Sequence, residues 1–376
     1  MAKKRKVLFV SLGTFTQTGG IEKFNRCFLK ALHELQDEAD MQVQAFSLYD
    51  ENENSKYFPA QAYRYFSRRK TAFISAVLKE ALSADIVYIA HVNLAFLGIL
   101  VRLVRPAARI VVITHGIDIW TPLDAVKRKL LQRCHKILTV SHYNIDKLVH
   151  LQKVDASKIE VFYNTVDPFL ALPENFNKPV QLLQRYQLNA DNPLIVSVAR
   201  LKVTEKFKGY DTLLEILPSL SAIHPGIKYM LIGKAEAAEL QRINELTVKH
   251  GIQDRVILTG FVPDEEIMDH YLLADCFAMP SKKEGFGIVF IEAMMCGLPV
   301  VAGNKDGSVD ALQNGRFGQL IDPDDKNAIR RALVHALEYS GKDSHKTGRA
   351  LQQEVFNQFG FPAFKQRLLT SIREMK

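Results

Sequence analysis

Glu284-Gly285-Phe286-Gly287-Ile288-Val289-Phe290-Ile291-Glu292 sets two carboxylates eight positions apart, with a Gly-Phe-Gly turn directly after the first. Glycine has no Cβ, so such a turn opens backbone N–H groups to a ligand. The apolar run that follows, residues 288–296, reads as a short buried helix whose N-terminus faces that ligand. Glu284 then stands at the mouth of a helix and Glu292 about two turns down it. An ionised Glu292 among Phe290, Ile291, Ala293, Met294 and Met295 is costly to bury unless something binds it. A polyhydroxyl ligand meets that need, because a carboxylate accepts from two hydroxyl donors.

Working outward, strands and helices alternate throughout, which predicts an α/β protein with parallel sheets covered on both faces. Strands are expected at 7–12, 43–48, 85–91, 109–114, 136–141 and 159–163, with helices at 21–35, 72–82, 125–135 and 143–151. The pattern pauses over 167–193, which holds four prolines and several Asn and Gln residues and reads as a linker. It restarts with strands at 194–199, 229–232, 256–259, 276–280, 300–302 and 319–321, a helix at 211–220 and an amphipathic helix at 361–376. Ligands of open parallel sheets bind outside the carboxyl ends of strands. Gly19 and Gly20, His91, His115 and Arg200 all fall at such ends.

With the Glu284–Glu292 pair as anchor, the chain resembles the family 4 retaining glycosyltransferases of GT-B architecture (glycosyl transferases group 1). The run 194–200 (LIVSVAR), Lys208-Gly209, 230–233 (MLIG), 256–262 (VILTGFV), Ala274-Asp275 and 297–301 (GLPVV) follow that family's order. The match is dense from about 193 to 325. It is sparse before that, through Gly19-Gly20, His115-Gly116 and Ser141. The resemblance implies two Rossmann-like parallel-sheet domains facing across a cleft: 1–180 for the acceptor, 181–358 for the nucleotide-sugar donor, and a helix over 359–376 crossing back to the first.

Sugar transfer breaks the bond between an anomeric carbon and a diphosphate, so cations and N–H groups must hold the leaving group while hydroxyls orient the sugar. The resemblance gives Arg200 and Lys208 the diphosphate. Lys206, in the charged loop 201–207, is a second candidate for the same task. Glu284 is implied to approach the donor sugar, Gly285, Phe286 and Gly287 to supply N–H groups, and Glu292 to accept from the ribose hydroxyls. Gly19-Gly20 opens a helix whose N–H groups suit a diphosphate; a plain turn fits it as well, and G-x-G-x-x-G is absent. His115 is implied to touch the donor sugar, and a satisfied core histidine is the other reading; His91 is a weaker candidate. Phe261 and Val262, with 232–234, are expected to shape the base and sugar pocket. The 164–167 segment (NTVD) carries threonine where the family has glycine. Asp322-Pro323-Asp324 fits a metal-binding D-x-D, but between a strand and a helix it reads as an N-cap. No metal and no cofactor beyond the nucleotide-sugar substrate is expected.

The chain has 376 residues, 47% apolar and 24% charged, the balance of a globular protein with more than one domain. No apolar run reaches the ~18 residues of a membrane span, and the basic run 3–6 is not followed by a signal-peptide core. Cys27, Cys134, Cys276 and Cys296 lack metal spacing and read as reduced core cysteines. These features predict a cytoplasmic protein, and the resemblance makes it an enzyme. A net charge of +8 suits anionic partners: a nucleotide-sugar, or the inner membrane face touched peripherally by a basic N-terminal domain. No nucleic-acid motif accompanies it. The expected reaction is transfer of a sugar to a hydroxyl acceptor (glycan, glycolipid or lipid-linked sugar), with retention implied by the resemblance alone. A nucleotide-sugar epimerase of similar architecture and a non-catalytic nucleotide-sugar-binding protein are the alternatives.

Overall fold

In the computed structural model, which describes residues 4–16, 18–340 and 344–375, the chain divides into two compact units, 1–168 with 359–376, and 169–358. Lys3 of the basic run, Gln17 of the 13–20 loop and Lys376 lie outside the described residues.

The first unit is built on a seven-stranded sheet. Its strands are β1 (Arg5–Ser11), β2 (Met41–Ser47), β3 (Tyr63–Tyr65), β4 (Ile86–Ile89), β5 (Arg109–Thr114), β6 (Lys136–Thr139) and β7 (Ile159–Val161). They run parallel in the order β3-β2-β1-β4-β5-β6-β7, with Phe9 opposite both Ala45 and Tyr88. β1 and β4 are apolar on both faces because helices cover both sides of the sheet. On one face, α1 (Gly20–Glu34) packs against the helix Phe361–Glu374, which the chain brings back to this unit. Phe24 stacks on Phe28 there, and Phe162 and Phe364 meet edge to face with ring centroids 4.8 Å apart. On the other face lie α2 (Lys70–Ala81), α3 (Ala95–Val104) and α4 (Ala125–Arg133), sharing one core through Val77, Val101 and Leu130.

The second unit repeats the plan with six strands: β8 (Leu194–Val198), β9 (Lys228–Ile232), β10 (Val256–Gly260), β11 (Cys276–Met279), β12 (Val300–Gly303) and β13 (Gln319–Ile321). All are parallel, in the order β10-β9-β8-β11-β12-β13, with Val196 between Met230 and Phe277. In each sheet the strand order reverses once, between β1 and β4 and between β8 and β11. Loops leaving the carboxyl ends of such a pair diverge to opposite faces and leave a crevice for a ligand.

Two elements of the first unit were not expected from the sequence. β3 has three residues, too few to show a period, and α3 (AFLGILVRLV) is apolar but for Arg102, so its polar residues trace no helical period. The 167–193 stretch contains the helix Val180–Arg185. All four cysteines are buried, and none forms a disulfide among the described residues. Among the described residues, no helix is long and apolar enough to cross a membrane.

Candidate functional site

At the carboxyl edge of the second sheet, the loops after β8 and β11 meet. Lys282 N–H donates to the Phe207 carbonyl at 2.8 Å. Gly209 takes φ +86°, and a Cβ there would lie 2.3 Å from the Pro280 carbonyl oxygen, so only glycine lets the two loops touch. The contact brings Lys208 Nζ to 2.5 Å from Glu284 Oε2, each side chain 16% exposed. The pair therefore bridges the sheet's reversal point. Lys206 is exposed, and its charge acts on Glu239. Arg200 leaves β8 beside this pair without joining it: its guanidinium bonds Glu205 at 2.8 Å and stays 66% exposed.

The turn after Glu284 is fixed by packing. Gly287 takes φ +88° at the N-cap of the helix Ile288–Met295, and a Cβ there would overlap the Phe290 ring at 2.3 Å. Phe286 is buried, so only its backbone is available to a ligand. Two turns on, Glu292 is 1% exposed and accepts the Tyr271 hydroxyl at 3.0 Å. Burial and the neighbouring carboxylate push the Tyr271 hydroxyl well above its ordinary range, so it remains a donor to Glu292. Phe261 and Val262 follow β10 at the same edge of the sheet, with Phe261 58% exposed.

Asp306, after β12, was missed by the sequence reading. It is fully buried and accepts Glu284 N–H at 2.8 Å, Ser281 Oγ at 2.7 Å and Ser308 N–H at 2.9 Å. Burial first, then the charge of Glu284, raises its carboxyl from the ordinary 3.8 to about 6. Its place three residues beyond an apolar strand, ahead of Gly307-Ser308, was the available signal.

In the first unit, Gly19 is the N-cap of α1 and its carbonyl accepts Lys23 N–H at 2.9 Å. A Cβ at Gly20 would meet nothing within 4 Å, so the helix N-terminus opens onto free space. The preceding loop is gathered by Asp50, a second residue that sequence did not single out. Its carboxylate accepts the N–H groups of Thr14, Phe15 and Thr16 at 2.9, 3.1 and 3.0 Å, and the Tyr63 hydroxyl at 2.5 Å. His115 directly follows β5; its Nε2 meets the Ala90 carbonyl at 2.9 Å, leaving Nδ1 as the acceptor in the neutral ring. Desolvation lowers its pKa against the pull of Asp118, so the ring is neutral at pH 7. His91 lies 6.0 Å away, ring to ring, and its Nδ1 accepts Asn93 N–H. Asn164 and Thr165 are buried, and Asp167 takes the Tyr57 hydroxyl at 2.6 Å.

The D-x-D segment is held by cations. Asp322 and Asp324 pair with Lys305 at 2.7 and 2.9 Å, and Asp324 also with Lys282. The N-cap of the helix Lys326–Ser340 is Asp325, not Asp322: the Asp325 side chain accepts Ala328 N–H at 2.9 Å, while Asp322 accepts Asp324 N–H.

Comparison with known proteins places both units. Residues 18–169 match the family model described as Glycosyltransferase Family 4, and residues 181–353 match Glycosyl transferases group 1. A GDP-mannose-dependent alpha-(1-6)-phosphatidylinositol monomannoside mannosyltransferase of Mycolicibacterium smegmatis is 31% identical over 255 residues, 65% of this chain. The chain spans 64% of that relative's length. Among solved structures, a glycosyltransferase from Rickettsia africae superposes with a TM-score of 0.79 at 19% identity, over 99% of this chain and 98% of that one. HepE from Anabaena, in complex with UDP and glucose, gives 0.76 at 21% identity, over 98% and 99%. With one family model on each unit and the fold common to both structures, the chain belongs to the family 4 glycosyltransferases of GT-B architecture.

Proposed function

We propose that this protein is a retaining hexosyltransferase that moves a sugar from a nucleoside-diphosphate sugar to the hydroxyl of a glycan or glycolipid, without a metal ion. The observation that carries the reading is the Lys208–Glu284 pair at the reversal point of the second sheet, beside the N-terminus of Ile288–Met295. Cation, carboxylate and open N–H groups converge there, the set that a diphosphate bonded to a polyhydroxyl ring requires. The mycolicibacterial relative is named for GDP-mannose and a phosphatidylinositol mannoside, and the Anabaena structure holds UDP and glucose. Both support a nucleotide-sugar donor.

In this reading, the bond from the anomeric carbon to the diphosphate oxygen breaks with its electron pair going to the phosphate. Lys208, Arg200 and the N–H groups of residues 285–287 offset that charge. The acceptor hydroxyl bonds to the anomeric carbon on the same face, and its proton passes to the leaving phosphate. Glu284 orients the sugar, and Glu292 holds the ribose hydroxyls in exchange for Tyr271. Phe261 and Val262 line the side for the base. In the first unit, we assign the Gly19-Gly20 turn and the neutral His115 to substrate. Lys305 and Lys282 occupy Asp322 and Asp324, which favours a metal-free site. The test is a panel of UDP-, GDP- and ADP-sugars with hydroxyl acceptors, following nucleoside diphosphate release and the product's anomeric configuration. One donor should support acceptor-stimulated release with retention. An inverted product, or interconversion of sugars without transfer, overturns the proposal.

A further inference from the structure

α3 is apolar but for Arg102. One face, Ala95, Leu97, Gly98 and Val101, is buried in the first unit's core. The opposite face is not: Phe96 is 59% exposed and Leu103 70%, with Ile99 and Leu100 partly exposed between them. Positions 96, 99, 100 and 103 fall within one arc of about 100° on a helix. Val104, in α3's last turn, and Val126, on the neighbouring α4, are each 41% exposed as well. A helix of this kind in water ordinarily has something covering its second face.

Charge says what. The helices α2, α3 and α4 lie side by side on one face of the sheet and carry two, one and four Lys or Arg residues, seven in total, against a single acid, Glu80. Lys129 and Arg133 are exposed on α4, and Arg102, which donates to the Arg133 carbonyl at 3.0 Å, ties the end of α3 to this basic helix. A second copy of this face would bring like charges together. An anionic lipid surface offers both a hydrocarbon boundary for Phe96, Ile99, Leu100 and Leu103 and phosphates for the basic rim.

We propose that α3 is a docking helix that seats the first unit on an anionic membrane surface, with its outer face dipped into the boundary between headgroups and acyl chains. This goes beyond the transferase reading, since vesicle binding is measured without any sugar.

The experiment is co-sedimentation of the full chain with vesicles of phosphatidylcholine alone or with 30% phosphatidylglycerol (a roughly chosen anionic load). Binding should require the anionic lipid and weaken at high salt. Phe96→Glu/Leu103→Glu should lower partition by at least roughly tenfold, and Lys129→Glu/Arg133→Glu by a similar factor, because apolar area and basic charge both contribute. Melting temperature and nucleoside diphosphate affinity of these variants serve as folding controls, since neither pair touches the site of the second unit. Conservative Phe96→Leu/Leu103→Ile should bind as wild type. Equal binding to neutral and anionic vesicles, or unaltered binding by the glutamate variants, overturns the proposal. So does a wild-type dimer in light scattering that the Phe96→Glu/Leu103→Glu change dissociates.

Discussion

Replacing Lys208 by methionine keeps the reach of the side chain and removes only the ammonium. That ammonium lies 2.5 Å from Glu284, in a place where each side chain is 16% exposed. A charge-assisted hydrogen bond of this kind is worth about 1.5–3 kcal/mol, so the folded protein should lose stability of that order. Turnover should fall further, because the same charge is preorganised where the leaving diphosphate builds its own. Removing one such group costs about 2.7 kcal/mol, or roughly 100-fold. Lys206→Met is the control. Lys206 is two residues away and cationic, but it is exposed, so its loss should change turnover by less than about threefold. The assay is nucleoside diphosphate release at saturating donor and acceptor, with thermal melts of both variants alongside. The reasoning is refuted if Lys206→Met proves the more damaging change, or if Lys208→Met is unstable yet turns over at the wild-type rate.

Three further outcomes follow from the same geometry. Glu284→Gln should lower turnover while leaving affinity for the free nucleoside diphosphate nearly intact, since the sugar is absent from that ligand; steady-state kinetics beside binding would expose the opposite pattern. Asp306 titrates near 6, so turnover should fall below about pH 6 as its protonation weakens the hold on Glu284 N–H, and Asp306→Asn should be slow at every pH and lack that limb. Because its folded-state pKa is raised, Asp306 favours the fold most below about pH 4 and loses that contribution by about pH 6; acid unfolding through this group is therefore not the cause, and a melt at pH 5.5 checks it. Excess EDTA should leave transfer unchanged, and loss of activity restored by Mg²⁺ or Mn²⁺ would return Asp322 and Asp324 to the site.

Much of this was legible in the sequence. Strands of the second unit were readable because they are short continuous apolar runs ended by Gly or Pro, as at Gly233, Pro280 and Gly303, and Gly209 marked the turn that brings Lys208 round. What the sequence withheld were contacts between segments far apart. Nothing local to Asp306 says that it receives Glu284 N–H, and nothing local to Asp50 says that it gathers the loop before α1. Arg200 and Lys208, adjacent in the motif, turn out to face different carboxylates, Glu205 and Glu284. The same limit hid α3. Its composition fits a buried strand as well as a helix, and only the packed unit shows that half of its apolar surface has no cover.

The most direct test of the donor site is calorimetric titration of UDP and GDP into the full chain in EDTA, repeated with Lys208→Met and Glu292→Gln. One of the two nucleotides should bind wild type without metal. Lys208→Met should weaken it through the diphosphate and Glu292→Gln through the ribose, each by at least roughly tenfold, from one charge-assisted contact or more of about 1.5–3 kcal/mol. Binding that requires a divalent ion, or that ignores both substitutions, contradicts a site built on Lys208 and the Glu284–Glu292 helix.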